Sequence, residues 1–188
     1  MPTKCLMKLS LLFISITIVL SCGLSLFAQD EANWVAGVDL YRNGDYAAAV
    51  EKLEPLLKDG KLDRDAARYL AGAYVHLNRT DEATKLFKKS EKLKPKNEID
   101  YDRAPKITKP FRPNFDRSSI PDTYSSLSIR LAVEFKADGT IGFVHPVFAT
   151  WKALLPEAIK GVKGIRFEPA VVGGKPVTIV GLWDWNYN

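Results

Sequence analysis

Residues 127–149 read LSIRLAVEFKADGTIGFVHPVFA, and their spacing decides the architecture of the second half of this 188-residue chain. From Leu127 the apolar side chains fall on every second position, at Ile129, Leu131, Val133 and Phe135, with Ser128, Arg130 and Glu134 on the alternate ones. A period of two is that of a half-buried strand, with its polar positions turned to water. Asp138-Gly139 then supplies a dipeptide able to take the positive φ angles of a tight turn, and Ile141, Phe143 and Val147 resume the alternation. Two antiparallel strands are expected. A short helix fits Pro156 to Val162, because proline suits a first helical position and Leu155, Ala158, Ile159 and Val162 recur at helical spacing. Gly161 or Gly164 can end it, and Gly173-Gly174 reads as the turn before a last strand that starts at Val177.

The segment Ile165-Arg166-Phe167-Glu168-Pro169-Ala170, followed by Gly174-Lys175-Pro176-Val177 and a closing strand, resembles the carboxy-terminal domain of TonB-family proteins, over about residues 120–188. The resemblance implies a periplasmic ββαβ domain, an open antiparallel sheet with one helix. It also implies a binding module whose last strand is a sheet edge that pairs with a short peptide of an outer-membrane receptor. Strand addition of this kind takes affinity from backbone hydrogen bonds and selectivity from alternate side chains. The candidate partner-binding residues on one face of that strand are Val177, Ile179, Gly181, Trp183 and Trp185. The run of Trp183, Trp185 and Tyr187 departs from the family's more modest ending. The alternative for these aromatics is packing on the single helix or on the segment before the sheet, since a long exposed apolar edge invites aggregation.

Working back toward the amino terminus, Gly37, Gly44, Ala49 and Leu53 align with Ala71, Asn78, Ala83 and Phe87 at a constant offset of 34 residues, and Pro95 closes the second unit. This pattern resembles tetratricopeptide repeats, each a pair of antiparallel helices. Helices are expected over about Trp34 to Arg42 and Tyr46 to Leu57, and again over Arg68 to Leu77 and Asp81 to Leu93. Small residues stand where paired helices approach, and Leu40, Leu53, Tyr74 and Phe87 fill the space between them. Pro55 is expected to end or kink the first unit's second helix. The resemblance implies a groove lined by the first helix of each unit, with Trp34, Tyr41, Arg42, Arg68 and His76 as candidate residues for a second partner. The alternative is that the aromatic ones pack against neighbouring helices and the arginines are solvated. Two repeats are also fewer than the three or so that bury a continuous core, so Glu98 to Arg103, the sheet or a second copy of the chain is expected to cap the stack.

Between the halves, residues 96–119 read as a proline-rich linker, within a stretch from Pro95 to Ser126 that holds five of the eleven prolines. Two units that fold separately are expected, with the linker open to protease. About 30 residues of such chain reach ~90 Å at most, short for the periplasm-crossing spacer of the family's energy transducers. Their coupling histidine in a membrane helix also has no counterpart here. Residues 1–28 read as an export segment: Lys4 and Lys8 precede an uncharged run from Leu9 to Ala28. Three fates are open. Cleavage can follow Ala28, Cys22 can be acylated, or the 20-residue run can remain as an anchor, since it suffices for a hydrocarbon core of about 30 Å.

Both cysteines lie in that segment, so the mature fold relies on packing without disulfides. Losing Lys4 and Lys8 lowers the formal charge from +5 to +3, too mild a balance to argue for nucleic acid. His76 and His145 have no evident nucleophile or second ligand at metal spacing, and Glu168 is one carboxylate without a paired acid. Catalysis, a metal and a cofactor are therefore not expected. The sequence reads as an exported α+β protein: repeats over 31–95, linker over 96–119, TonB-like sheet over 120–188. Its expected partners are proteins, with outer-membrane receptor peptides as one candidate, a homodimer as another, and membrane association only through the amino-terminal segment. The competing reading is a tetratricopeptide scaffold or assembly factor whose carboxy-terminal domain only docks or dimerises.

Overall fold

A computed structural model describes residues 29–95, 101–110, 126–187 and positions 118, 120, 121 and 123. The export segment 1–28 and the linker pieces 96–100 and 111–117 fall outside the described residues, as do Glu98 to Asp100 of the expected cap. The chain is α+β: among the described residues, four helices are followed by a sheet-rich half carrying one α-helix. The helices are α1 (29–42), α2 (Tyr46–Lys58), α3 (Arg64–His76) and α4 (Thr80–Ser90).

The 34-residue offset is repeated in the backbone itself. Gly44 and Asn78 both take positive φ, at 85° and 60°, the left-handed conformation that ends a helix and that glycine and asparagine tolerate best. In each turn the next amide reaches five residues back, Asp45 to the Leu40 carbonyl at 2.9 Å and Arg79 to the Tyr74 carbonyl at 2.8 Å. The small residues mark close approach: a Cβ at Gly37 would stand 2.5 Å from Leu53 Cγ, and Ala49 and Ala83 are fully buried. Pro55 does not end α2, which runs on to Lys58. Its ring lies on the exposed side, and its carbonyl still accepts from Asp59 at 3.0 Å.

In the second half, β2 (Leu127–Phe135) pairs antiparallel with β3 (Ile141–Ala149) on one side and with β7 (Ile179–Tyr187) on the other, giving the order β3-β2-β7. The expected order of strand, turn, strand, helix and closing strand is thus present, with α5 (Leu155–Lys163) as the helix. Shorter strands surround it. β4 (Arg166–Glu168) follows α5, and β5 (Ala170–Val172) with β6 (Lys175–Val177) forms a hairpin around Gly173-Gly174, both at positive φ. Val177 therefore belongs to this hairpin, and the long closing strand begins only at Ile179. The linker is not an open spacer where it is described. β1 (Lys106–Lys109) pairs antiparallel with β4, and Arg103 bridges Val171.

The two halves are not separate units. One apolar cluster joins repeat residues such as Val38, Tyr41, Leu53, Leu70 and Phe87 to Ala132, Val147 and Val180 of the sheet. The sheet's other face forms a second cluster, in which Leu127, Ile129, Leu131 and Val133 pack with Ala158 and Val162 of α5. The sheet lies between the repeat helices and α5. Of the positions of β2 expected to face water, Arg130 and Glu134 instead meet the repeat half, and Glu134 is 2% exposed. A strand covered on both faces needs only a polar group with a partner to look half-exposed in sequence.

Candidate functional site

The expected groove is filled by the chain's own sheet. Tyr41, 1% exposed on α1, donates to Glu134 Oε1 at 2.5 Å, and His76 Nε2 on α3 lies 2.9 Å from the same oxygen. Tyr46 stacks on the His76 ring at 3.7 Å between centroids, and Phe143 of β3 meets that ring edge-on at 5.5 Å. Burial alone would raise the Glu134 carboxyl. The hydrogen bonds from His76 and Tyr41, the pull of His76 and the Phe143 amide outweigh it and hold the group below the ordinary carboxylate range. Burial and the adjacent carboxylate push the Tyr41 hydroxyl well above its ordinary value. Such a group joins two surfaces of the fold.

His145 makes a second joint between the halves. Its Nε2 lies 2.7 Å from Thr84 Oγ1 on α4, beside the Phe87 ring, and burial lowers its pKa. A third is Arg130, which meets Glu91 at the end of α4 and pairs with Asp184 of β7 at 2.6 and 3.0 Å. Glu134 and Arg130 escaped sequence reasoning because alternation assigned them to water. The only signal available was their position directly within a run otherwise buried on both sides.

Of the groove residues, Trp34 is partly buried against the shared cluster and Tyr41 and His76 are engaged with Glu134. In the fold these side chains serve the contact between the repeats and the sheet. Arg42 and Arg68 stand differently. Arg42 lines a cleft of about 360 Å³ with Asp39, Lys175, Val177 and Thr178, and Arg68 lines another of about 240 Å³ with Arg64, Tyr101, Ile179 and Gly181. Tyr69 stands between them, receiving Arg42 Nη2 at 3.3 Å and donating to the Thr178 carbonyl at 3.1 Å. Residues expected in two distant sites, Arg42 with Val177 and Arg68 with Ile179 and Gly181, thus share two adjoining clefts. Ile179, Trp183 and Trp185 turn their side chains to the α5 cluster, and Trp183 and Trp185 meet at 6.2 Å between ring centroids.

The hydrogen-bond phase of β7 follows from its neighbour. Ser128 bonds Thr150, beyond the end of β3, with both its amide and its carbonyl, so in β2 the even residues turn to β3 and the odd ones to β7. The β2–β7 register is unbroken from Leu127↔Tyr187 to Phe135↔Ile179. Val180, Leu182, Asp184 and Asn186 therefore point their backbone groups away from β2, consistent with the outward Thr178 carbonyl taken by Tyr69. Among the described residues no strand pairs with this edge. The amides of Ile179 and Gly181 are turned inward.

Compared with protein-family models, residues 35–98 match one described as tetratricopeptide repeat, a span that takes in most of α1 and all of α2 to α4. Repeats of this type generally mediate protein–protein interaction. Among curated proteins, no match to the chain was found. Among the described residues, no helix is long and apolar enough to cross a membrane.

Proposed function

We propose that this chain is an exported protein-interaction adaptor of the cell envelope, in which the tetratricopeptide-type pairs hold a TonB-like sheet and the outer edge of β7 receives a partner strand. The observation that carries this reading is the occupied groove: with Tyr41 and His76 engaged with Glu134, recognition falls to the backbone edge that, among the described residues, no other strand covers. The TonB-like part rests on the Phe167 to Ala170 motif together with the strand order β3-β2-β7, and delivery to the envelope rests on the reading of residues 1–28. Service to outer-membrane transport is the use that this resemblance suggests.

A proline at an outward amide removes a donor from the edge and leaves the β2 pairing intact. Asp184→Pro should abolish capture of receptor peptides from an outer-membrane extract, while Asp184→Ala, which loses only the Arg130 pair, should retain it. Equal capture by both variants would overturn the edge reading. The second reading, a scaffold whose sheet only docks, is favoured by the buried Tyr41–Glu134–His76 joint itself. Partners that survive Asp184→Pro and are lost on changing Lys58, Lys85 and Lys89 beside the α2–α4 cleft would support it.

A further inference from the structure

The cleft between α3 and the start of β7 is rich in donors and poor in acceptors. Arg64 and Arg68 both line it, and the acid paired with them is Asp65, 3.6 Å from Arg64 Nε and 3.6 Å from Arg68 Nη1, beyond good hydrogen-bonding distance. The Nε of each arginine is buried without a partner, and so is that of Arg42 on the far side of Tyr69. Three guanidinium groups thus line the two clefts, Arg64 and Arg68 in one and Arg42 in the other, and the carboxylates paired with them are Asp65 and Asp39. A guanidinium presents five donors in a fixed fork, and an unmet buried donor costs more than a met one returns. Burial lowers the pKa of Arg68; the nearby Asp65 opposes this and the neighbouring Arg64 adds to it, and the net direction is downward. The Tyr69 and Tyr101 rings wall the cleft, and the backbone of Ile179 to Gly181 closes it.

We propose that this cleft is a binding site for a carboxylate, held by the forks of Arg64 and Arg68 between the repeat half and the sheet. A planar two-oxygen anion matches a guanidinium fork in geometry and supplies the missing acceptors. About 240 Å³ admits one carboxylate with a short stem and excludes a large ligand. The carboxylate can come from an acidic side chain of a polypeptide partner or from a small free acid. Neither source requires a strand to pair with β7, so the site stands or falls apart from the edge reading.

The test follows the arginine Nε–Hε signals of the full chain by nitrogen–proton correlation spectra, with glutarate as one probe and an acetylated, amidated hexapeptide of alternating valine and glutamate as the other. Saturable shifts of the Arg64 and Arg68 signals are expected, with at least tenfold weaker binding in Arg68→Gln and in the more exposed Arg64→Gln. Response to the peptide alone assigns a polypeptide source, and response to both at similar concentration assigns a small acid. Absence of shifts with both probes, or binding unchanged in both variants, would overturn the site. Asp184→Pro should leave the shifts in place, which separates this result from failure at the strand edge.

Discussion

Tyr41 on α1 and Glu134 on β2, 93 residues apart in the chain, share a hydrogen bond of 2.5 Å in which the carboxylate is almost wholly buried. Removing the phenol leaves that carboxylate with His76 and the Phe143 amide as its remaining support. An under-satisfied buried acceptor costs about 1–3 kcal/mol, and more when charged. Tyr41→Phe and Glu134→Gln should each destabilise the protein by roughly that amount. In the double variant the cost should fall short of the sum by about 0.5–3 kcal/mol, because the two act on one bond. Denaturant unfolding of the four proteins measures this. Strict additivity would mean that the joint contributes nothing as a pair.

Close approach within the repeats gives a second expectation. A Cβ on Gly37 would stand 2.5 Å from Leu53 Cγ, and Ala83 has no exposed surface. Gly37→Ala gains helix propensity of up to ~1 kcal/mol yet must push Leu53 aside. Ala83→Leu adds three carbons to a filled site, at a cost of about 1 to 3 kcal/mol. Thermal melts should show Ala83→Leu clearly lowered and Gly37→Ala unchanged or lowered. An unshifted Ala83→Leu melt would remove the repeat alignment.

The shared apolar cluster predicts cooperative unfolding across the halves. Val38 and Phe87 of the repeats belong to one cluster with Ala132, Val147 and Val180 of the sheet, and β1 draws part of the linker onto β4. One calorimetric transition is expected, with trypsin slow at Arg103 and Lys106, both paired with the sheet half, in the native state. Two resolved transitions would restore the picture of independent units.

The helices and the strand order were legible because each rests on local chemistry. Gly44 and Asn78 mark equivalent turns, Asp138-Gly139 marks the hairpin, and Leu127 to Phe135 alternates cleanly. Docking was not legible. Alternation reports that two faces of a strand differ, not what covers the polar one, so Glu134 read as a solvent residue while it serves as an acceptor for two helices. The same limit hid the groove's occupant: Tyr41 and His76 have side chains suited to a peptide, and the peptide they hold is a strand of their own chain. For Arg42 and Arg68 the sequence supplied the residues but not their neighbours, because Val177, Ile179 and Gly181 approach them only in the folded chain.

Acid should loosen the junction between the halves in two steps. His145 has its folded pKa lowered by burial, so the native state keeps it neutral while the unfolded chain takes a proton near the ordinary value of 6.5. The stability it contributes is complete above that value and is lost as pH falls toward the folded pKa. Glu134 is likewise held low, so its contribution is complete above the ordinary carboxylate value of 4.5 and declines only below it. Between pH 7.5 and 5 the melting temperature should therefore fall through His145, and between pH 4.5 and 3.5 through Glu134 together with the surface acids. His145→Gln, which keeps a polar group toward Thr84, should flatten the upper step and leave the lower one. Glu134→Gln should do the reverse from a less stable starting point. A wild-type melting temperature constant from pH 7.5 to 5 would mean that His145 takes up its proton in place, and the joint with α4 would then carry no pH dependence.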